Sequence, residues 1–230
     1  MLYSFSLGVF MEFKMDVFTN SIKGLPIFKY EFGHSGNEVL ILGGVHGDEP
    51  EGVIAAQGLL KSFLNLTDLN LKITLIPEFN IEGILNKQRH NCNGIDLNRN
   101  LPTKDWTSEV KNPRYFPGHK ANSEPENQAL VKLLDDRNYK LLISLHSYTP
   151  MINVNGSGWE EEAEILKKMT GYPIETDIGY PTPGSLGTLA GKERNIPTIT
   201  FEIERDIDFK EINKIHVPAI LAALKATEKK

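Results

Sequence analysis

Residues 139–146, YKLLISLH, hold a continuous apolar run rather than an alternating one. A strand that is apolar on both faces needs cover on both sides, which it finds inside a helix-flanked sheet and not on a solvent-facing one. VLIL at 39–42 and IPTITFEI at 196–203 repeat the feature. Other segments fit around these strands. Residues 17–32 alternate weakly about Lys23-Gly24, as a β-hairpin does. A helical stretch is expected near 51–64 and a strand at 71–76. Ser123-Glu124-Pro125-Glu126 reads as a capping box opening a helix to about Asn138. GWEEEAEILKKM predicts another helix, and a last amphipathic one begins near Asp208, with Pro218 placed to kink it. Strands and helices alternate, so the expected class is α/β: one domain with a central mixed, largely parallel twisted sheet flanked by helices. That domain is expected over residues 16–230. Residues 1–15 read as an N-terminal extension, with Met11 or Met15 as alternative starts.

Composition narrows the function classes. The 230 residues carry a formal net charge of -5, against the basic surface that nucleic-acid binding needs. The apolar start MLYSFSLGVF has no preceding Lys or Arg and is too short to cross a bilayer, so neither a signal peptide nor a membrane anchor is expected. A lone cysteine, Cys92, excludes an internal disulfide and fits a reducing, cytoplasmic setting.

Chemistry concentrates at strand ends, where open α/β sheets place their ligands. After the strand at 38–43 comes GGVHGDE, with His46 and Glu49 three apart. Its glycines suit a turn; the imidazole and carboxylate are not needed for one. Alone, such a pair is more often a solvated loop than a ligand set. His146 closes the 139–146 strand and Glu202 lies near the end of the 196–203 strand. Each also has a plain reading: His146 as a core histidine bonded to backbone, Glu202 as an ion-pair partner with Glu204 on the same side. Together, His46, Glu49 and His146 make the two-His, one-carboxylate set of a catalytic zinc, one per chain. Glu202, outside that set, is the candidate base for water. The other histidines (His34, His90, His119 and His216) are expected on the surface or in loops.

Residues 86–123 lack helical or strand periodicity, and a connection of that length is commonly functional. Arg89 and Arg99 flank GIDLNRN within it, and guanidinium groups suit carboxylate capture and oxyanion stabilisation.

HGDE at 46–49, GIDLNRN at 94–100, LHSY at 145–148 and TFEI at 200–203, in this order, resemble the zinc carboxypeptidase family. Within it, RHNCNGIDLNRNLP and GYPTPGSLGTLAGKERNIPTITFEIE look most like the murein peptide amidases, and the resemblance covers about residues 23 to 225. It implies His46, Glu49 and His146 as zinc ligands and Glu202 as the glutamate that activates water and protonates the leaving amine. It implies Arg89 as the residue polarising the scissile carbonyl, with Asn98 and Arg99 holding a substrate's free carboxylate. Tyr180 falls near the mobile tyrosine that covers bound substrate. NIEG at 80–83 departs from the NPDG frequent in the family, which puts that turn at issue but not the zinc site. The implied substrate is a small peptide with a free carboxylate, cut between γ-D-glutamate and meso-diaminopimelate. Other readings on the same fold are a carboxypeptidase on ordinary peptides, an N-acyl amino acid deacylase, and a silent binding module; retention of both Glu202 and Arg89 argues against the last. A serine hydrolase fits poorly, because Gly33-His34-Ser35-Gly36-Asn37 lacks the final glycine of its motif.

Overall fold

In the computed structural model, which describes residues 13–65 and 69–230, the chain opens with a hairpin, β1 (Phe13–Asn20) and β2 (Pro26–Phe32). Its turn at Lys23-Gly24 lies where the alternation predicts, and Gly24 takes φ +80. β1 starts three residues ahead of the expected domain boundary at 16. The apolar stretch at residues 1–10 and Met11 lie outside the described residues.

Then follow β3 (Asn37–Gly43), α1 (Pro50–Phe63), β4 (Leu71–Ile76), α2 (Ile81–Asn86), α3 (Pro125–Asp136) and β5 (Tyr139–Tyr148). β6 (Met151–Asn155), α4 (Glu160–Thr170), β7 (Ile174–Glu175) and β8 (Thr198–Glu204) complete the sheet. Among the described residues the eight strands run in the order β1-β2-β4-β3-β5-β8-β6-β7. β3, β4, β5 and β8 are parallel to one another, while β2 and β6 join them antiparallel. The fold is therefore a mixed, mostly parallel sheet flanked by helices, as expected. β6 and β7 were not anticipated.

The apolar runs behave as the sequence predicts. Val39, Leu40, Ile41 and Leu42 are fully buried, as are Leu141, Leu142 and Ile143. One face packs under α1, α4 and the C-terminal helices through Ala56, Leu59, Phe63, Phe201 and Ile220; the other packs on α3 and the long loop through Leu40, Leu97, Leu101 and Leu130. β8 differs from the other two. Ile199, Phe201 and Ile203 are buried, but Thr200 and Glu202 alternate with them and are only partly covered. Its second face is covered at Thr198 and lines a cavity at Thr200 and Glu202, so the run IPTITFEI is buried on both sides only at its start.

Two local expectations change. Glu124, not Ser123, is the N-cap of α3 and makes no side-chain cap bond, while Pro125 takes the first helical turn. The capping box does not form because Ser123 Oγ donates to Glu124 Oε1 at 2.6 Å and Ser123 N–H donates to Asn100 Oδ1 at 3.1 Å. The C-terminal helix is irregular before its proline: α5 (Phe209–Glu211) passes through a π-helical turn (Ile212–His216) into α6 (Val217–Thr227). Pro218 sits in the first turn of α6, directly after that π-helical turn. Among the described residues no helix is long and apolar enough to cross a membrane.

Glu126, the would-be capping-box partner, is fully buried, and among the described residues neither carboxylate oxygen meets a well-placed donor. Burial pushes its carboxyl up to about 7, with Glu124 and Glu82 adding to the effect. The folded state thus holds a proton that the unfolded chain releases near pH 4.5. The associated stability is complete below that pH and is lost as pH rises through 7, a change of roughly 3 kcal/mol at most. Glu126→Gln should therefore raise the unfolding temperature at pH 8 and leave it nearly unchanged at pH 4, as thermal melts at the two pH values would read.

Candidate active site

The loop after β3 is shaped by close approach. Gly44 has φ +66, and a Cβ on Gly47 would fall 1.9 Å from the carbonyl carbon of Gly83, so only glycine lets this loop pack on α2. Gly83 is the last residue of NIEG. The turn there is intact, since Asn80 N-caps α2 by accepting from Gly83 N–H at 2.9 Å, and its Nδ2 donates to the carbonyls of Val45 and Arg89. Glu82 in the same motif accepts from Ser21, Lys23 and Cys92, tying the hairpin turn to the arginine loop.

This packing delivers His46 and Glu49 together. Glu49 is the N-cap of α1, followed by Pro50, so its carboxylate lies at the positive end of a helix. It makes no cap bond because it turns toward two imidazoles. His46 Nδ1 lies 2.9 Å from Glu49 Oε1 and His146 Nδ1 lies 2.8 Å from Oε2. The two Nδ1 atoms are 3.1 Å apart, and one ligand atom from each residue lies within 4.8 Å of the others. All three residues are at most 5% exposed. Burial disfavours charge on Glu49, yet the two histidines hold its carboxyl well below the usual range.

The outer ring nitrogens show what this set is built for. His46 Nε2 lies 3.1 Å from Asp96 Oδ1, and His146 Nε2 lies 2.9 Å from Ser144 Oγ. A histidine that donates its far N–H to a carboxylate, as to Asp96, or to a hydroxyl, as to Ser144, presents a lone pair at the near nitrogen, the arrangement of metal-bound imidazoles. Two such lone pairs facing one carboxylate are the donors of a catalytic zinc with an open fourth position.

Asp96 was not picked out from the sequence, although it sits inside GIDLNRN. It is fully buried, holds His46, and accepts from Arg89 Nε at 2.8 Å. Burial opposes its ionisation, but His46, Arg89 and Arg99 keep it well below the normal carboxylate range. Asp96→Asn keeps the shape and removes the charge. We expect it to weaken zinc about 10- to 100-fold, measured by competition with a chelator of known affinity.

The long loop is ordered rather than structureless. Asn100 is its hub, donating to the carbonyls of Pro117 and Lys120 and accepting from Ser123, Glu124 and Asn127. Arg89 is nine-tenths buried and also donates to Glu49 Oε1 at 3.2 Å. Arg99 donates to the carbonyl of Asn98 at 2.7 Å and makes no ion pair among the described residues. Both guanidinium carbons lie over the ring of Tyr115, at 5.2 and 5.3 Å. Asn98 Oδ1 accepts from Leu186 N–H at 2.9 Å.

These groups share one cavity of about 350 Å³ with Tyr180 and Glu202. Tyr180 stacks on Tyr115 at 6.0 Å between ring centroids. Glu202 is paired in register with His146 across β5 and β8, so the two strand ends meet at the cavity. Burial pushes its carboxyl up to about 7; Glu49 adds to this, while His146, Arg89 and Arg99 oppose it. All eight residues singled out from the sequence are therefore brought to one place. Cys92 is not among them: it binds Glu82, and burial with that carboxylate raises its thiol to about 11. His216 is not a surface residue, because it is buried against Phe201 with Nε2 2.8 Å from the Tyr172 hydroxyl.

A sequence model of zinc carboxypeptidases matches residues 14–227. The chain belongs to the zinc carboxypeptidase family. It is 32% identical to murein peptide amidase A of Vibrio campbellii over 216 residues, covering 89% of this chain and 84% of that protein. It is 30% identical to murein peptide amidase A of Escherichia coli over 194 residues, covering 79% and 78% of the two chains. The structure of murein-tripeptide amidase from Escherichia coli O157 superposes with a TM-score of 0.77 at 27% identity, covering 95% of this chain and 94% of that one. Bovine thrombin-activatable fibrinolysis inhibitor, at 19% identity and a TM-score of 0.75, covers 95% and 90% and shares the fold. As a zinc carboxypeptidase family member, the chain is a zinc-dependent amidohydrolase, and His46, Glu49 and His146 form the single candidate zinc site among the described residues.

Proposed function

We propose that this enzyme hydrolyses the amide joining γ-D-glutamate to meso-diaminopimelate in a freed cell-wall tripeptide, in the cytoplasm. Arg99 carries the reading: a guanidinium 5% exposed, in one cavity with the zinc ligands and without a carboxylate partner among the described residues, is a receptor for a substrate carboxylate. The likeness to two murein peptide amidases over about four fifths of both chains supports the choice of tripeptide.

Bound zinc supplies Lewis acidity that makes water a nucleophile near neutral pH. Glu202 accepts a proton from that water as its oxygen bonds to the scissile carbonyl carbon. The same carboxyl then gives the proton to the leaving nitrogen as the C–N bond breaks, yielding a free acid and a free amine. Arg89, fixed by Asp96 and Glu49, stabilises negative charge on the former carbonyl oxygen. One such donor is worth about 3–4 kcal/mol in other hydrolases. Arg99 and the Asn98 amide hold the leaving residue's carboxylate, which limits attack to the adjacent amide. Tyr180, on the cavity wall against Tyr115, covers the bound substrate.

The test is a pair of tripeptides, one with the diaminopimelate α-carboxylate free and one with it amidated. Loss of a charge-assisted contact with Arg99 should slow the amidated peptide about 10- to 100-fold in kcat/KM. Equal rates would remove Arg99 from carboxylate binding.

A further inference from the structure

Thr200 and Glu202 stand two apart on the cavity face of β8. In β6, Asn153 pairs with Thr200 and Asn155 with Thr198, so the two asparagines carry that face onward, away from the zinc ligands. Thr200, Asn153 and Asn155 all line the cavity. This part of its floor thus offers amides and a hydroxyl where an apolar side chain would need hydrocarbon.

A π-helical segment, Gly187–Glu193, lies against β6. A Cβ on Gly191 would fall 2.4 Å from Asn155 Cβ, and one on Gly187 would fall 3.0 Å from Asn155 Nδ2. These glycines let the segment approach closely, and the approach brings Lys192 to the cavity wall.

Most cations of the wall are already paired. Arg89 is bound by Asp96 and Glu49, while Arg114 and Arg205 both meet Asp48. Arg99 and Lys192 are the two basic side chains of the wall with no carboxylate in ion-pair reach among the described residues. An exposed lysine by itself means little. Two unpaired cations in one polar cavity, one already suited to a carboxylate, call for an occupant with two negative groups.

We infer that Lys192 is a specificity-determining residue, which takes a second carboxylate at the side-chain end of the leaving residue. The cavity then selects a dicarboxylic leaving amino acid: Arg99 holds the carboxylate next to the scissile amide and Lys192 the distal one. Asp177, among the described residues the one acid of the wall besides Glu49 and Glu202, is available to a distal ammonium. This assignment deepens the tripeptide reading and rests on it for the acyl group and for the role of Arg99.

L-Ala-γ-D-Glu-meso-diaminopimelate and L-Ala-γ-D-Glu-L-Lys differ by that distal carboxylate alone. Wild type should favour the first by about 10- to 100-fold in kcat/KM. Lys192→Met should lower the diaminopimelate peptide to the level of the lysine peptide and leave the lysine peptide unchanged, and Lys192→Arg should restore most of the preference. Calorimetric binding of free meso-diaminopimelate and free L-lysine to the zinc-loaded proteins gives a readout that needs no cleavage. If neither tripeptide is cut but diaminopimelate binding falls selectively in Lys192→Met, the acyl assignment fails and the role of Lys192 stands. No wild-type preference for diaminopimelate in either assay, or equal losses on both members of a pair, overturns it.

Discussion

Glu202→Gln should keep a full zinc complement and lose about 10²- to 10⁴-fold in turnover, the contribution of a positioned general acid–base. The expectation rests on separation of roles. Glu202 lies outside the three-residue ligand cluster, yet β5 and β8 are in register so that it reaches the cavity beside His146. A carboxylate bound to metal cannot also take and return a proton, and Glu49 is already committed to both histidines. Burial that lifts Glu202 to about 7 also fits a group that must accept a proton and then release it. Glutamine preserves volume and one acceptor but cannot shuttle the proton. Metal analysis beside steady-state kinetics separates the outcomes. Wild-type-like turnover with full zinc would place the base elsewhere; loss of zinc would make Glu202 a ligand.

His146→Ala should reduce bound zinc well below one per chain after dialysis and abolish amidase activity with it. A catalytic zinc needs three protein ligands, and the remaining His46 and Glu49 leave two. The fold should survive, because His146 lies near the end of a strand whose packing comes from Leu141, Ile143 and Leu145. Circular dichroism would confirm this while atomic absorption counts the metal. Full occupancy in the folded variant would remove His146 from the site.

Much of this was legible because the informative residues sit where strands end. VLIL, KLLISL and TITFEI define three parallel neighbours, and their carboxyl ends carry His46, Glu49, His146 and Glu202. What escaped was set by contacts distant in sequence. Asp96 is one polar residue among several in its loop until it is seen holding His46 and Arg89. β6 and β7 are short, and Asn153 and Asn155 become part of the cavity floor only through pairing with β8. Ser123 and Glu126 have capping-box spacing, but Asn100, 23 residues away, claims the serine. His216 lacks any strand-end context, and its burial comes from packing on Phe201 and Tyr172. Lys192 has nothing in its local sequence to mark it; its meaning comes from the cavity it lines.

The most direct test of the account is to incubate the zinc-loaded protein with L-Ala-γ-D-Glu-meso-diaminopimelate and identify the products by mass spectrometry. An ordinary C-terminal peptide and an N-acyl amino acid are run alongside. The account predicts free meso-diaminopimelate and L-Ala-D-Glu, formed faster than either companion is cut. An intact tripeptide, with cleavage of either companion, would contradict the proposed substrate while leaving the zinc chemistry in place.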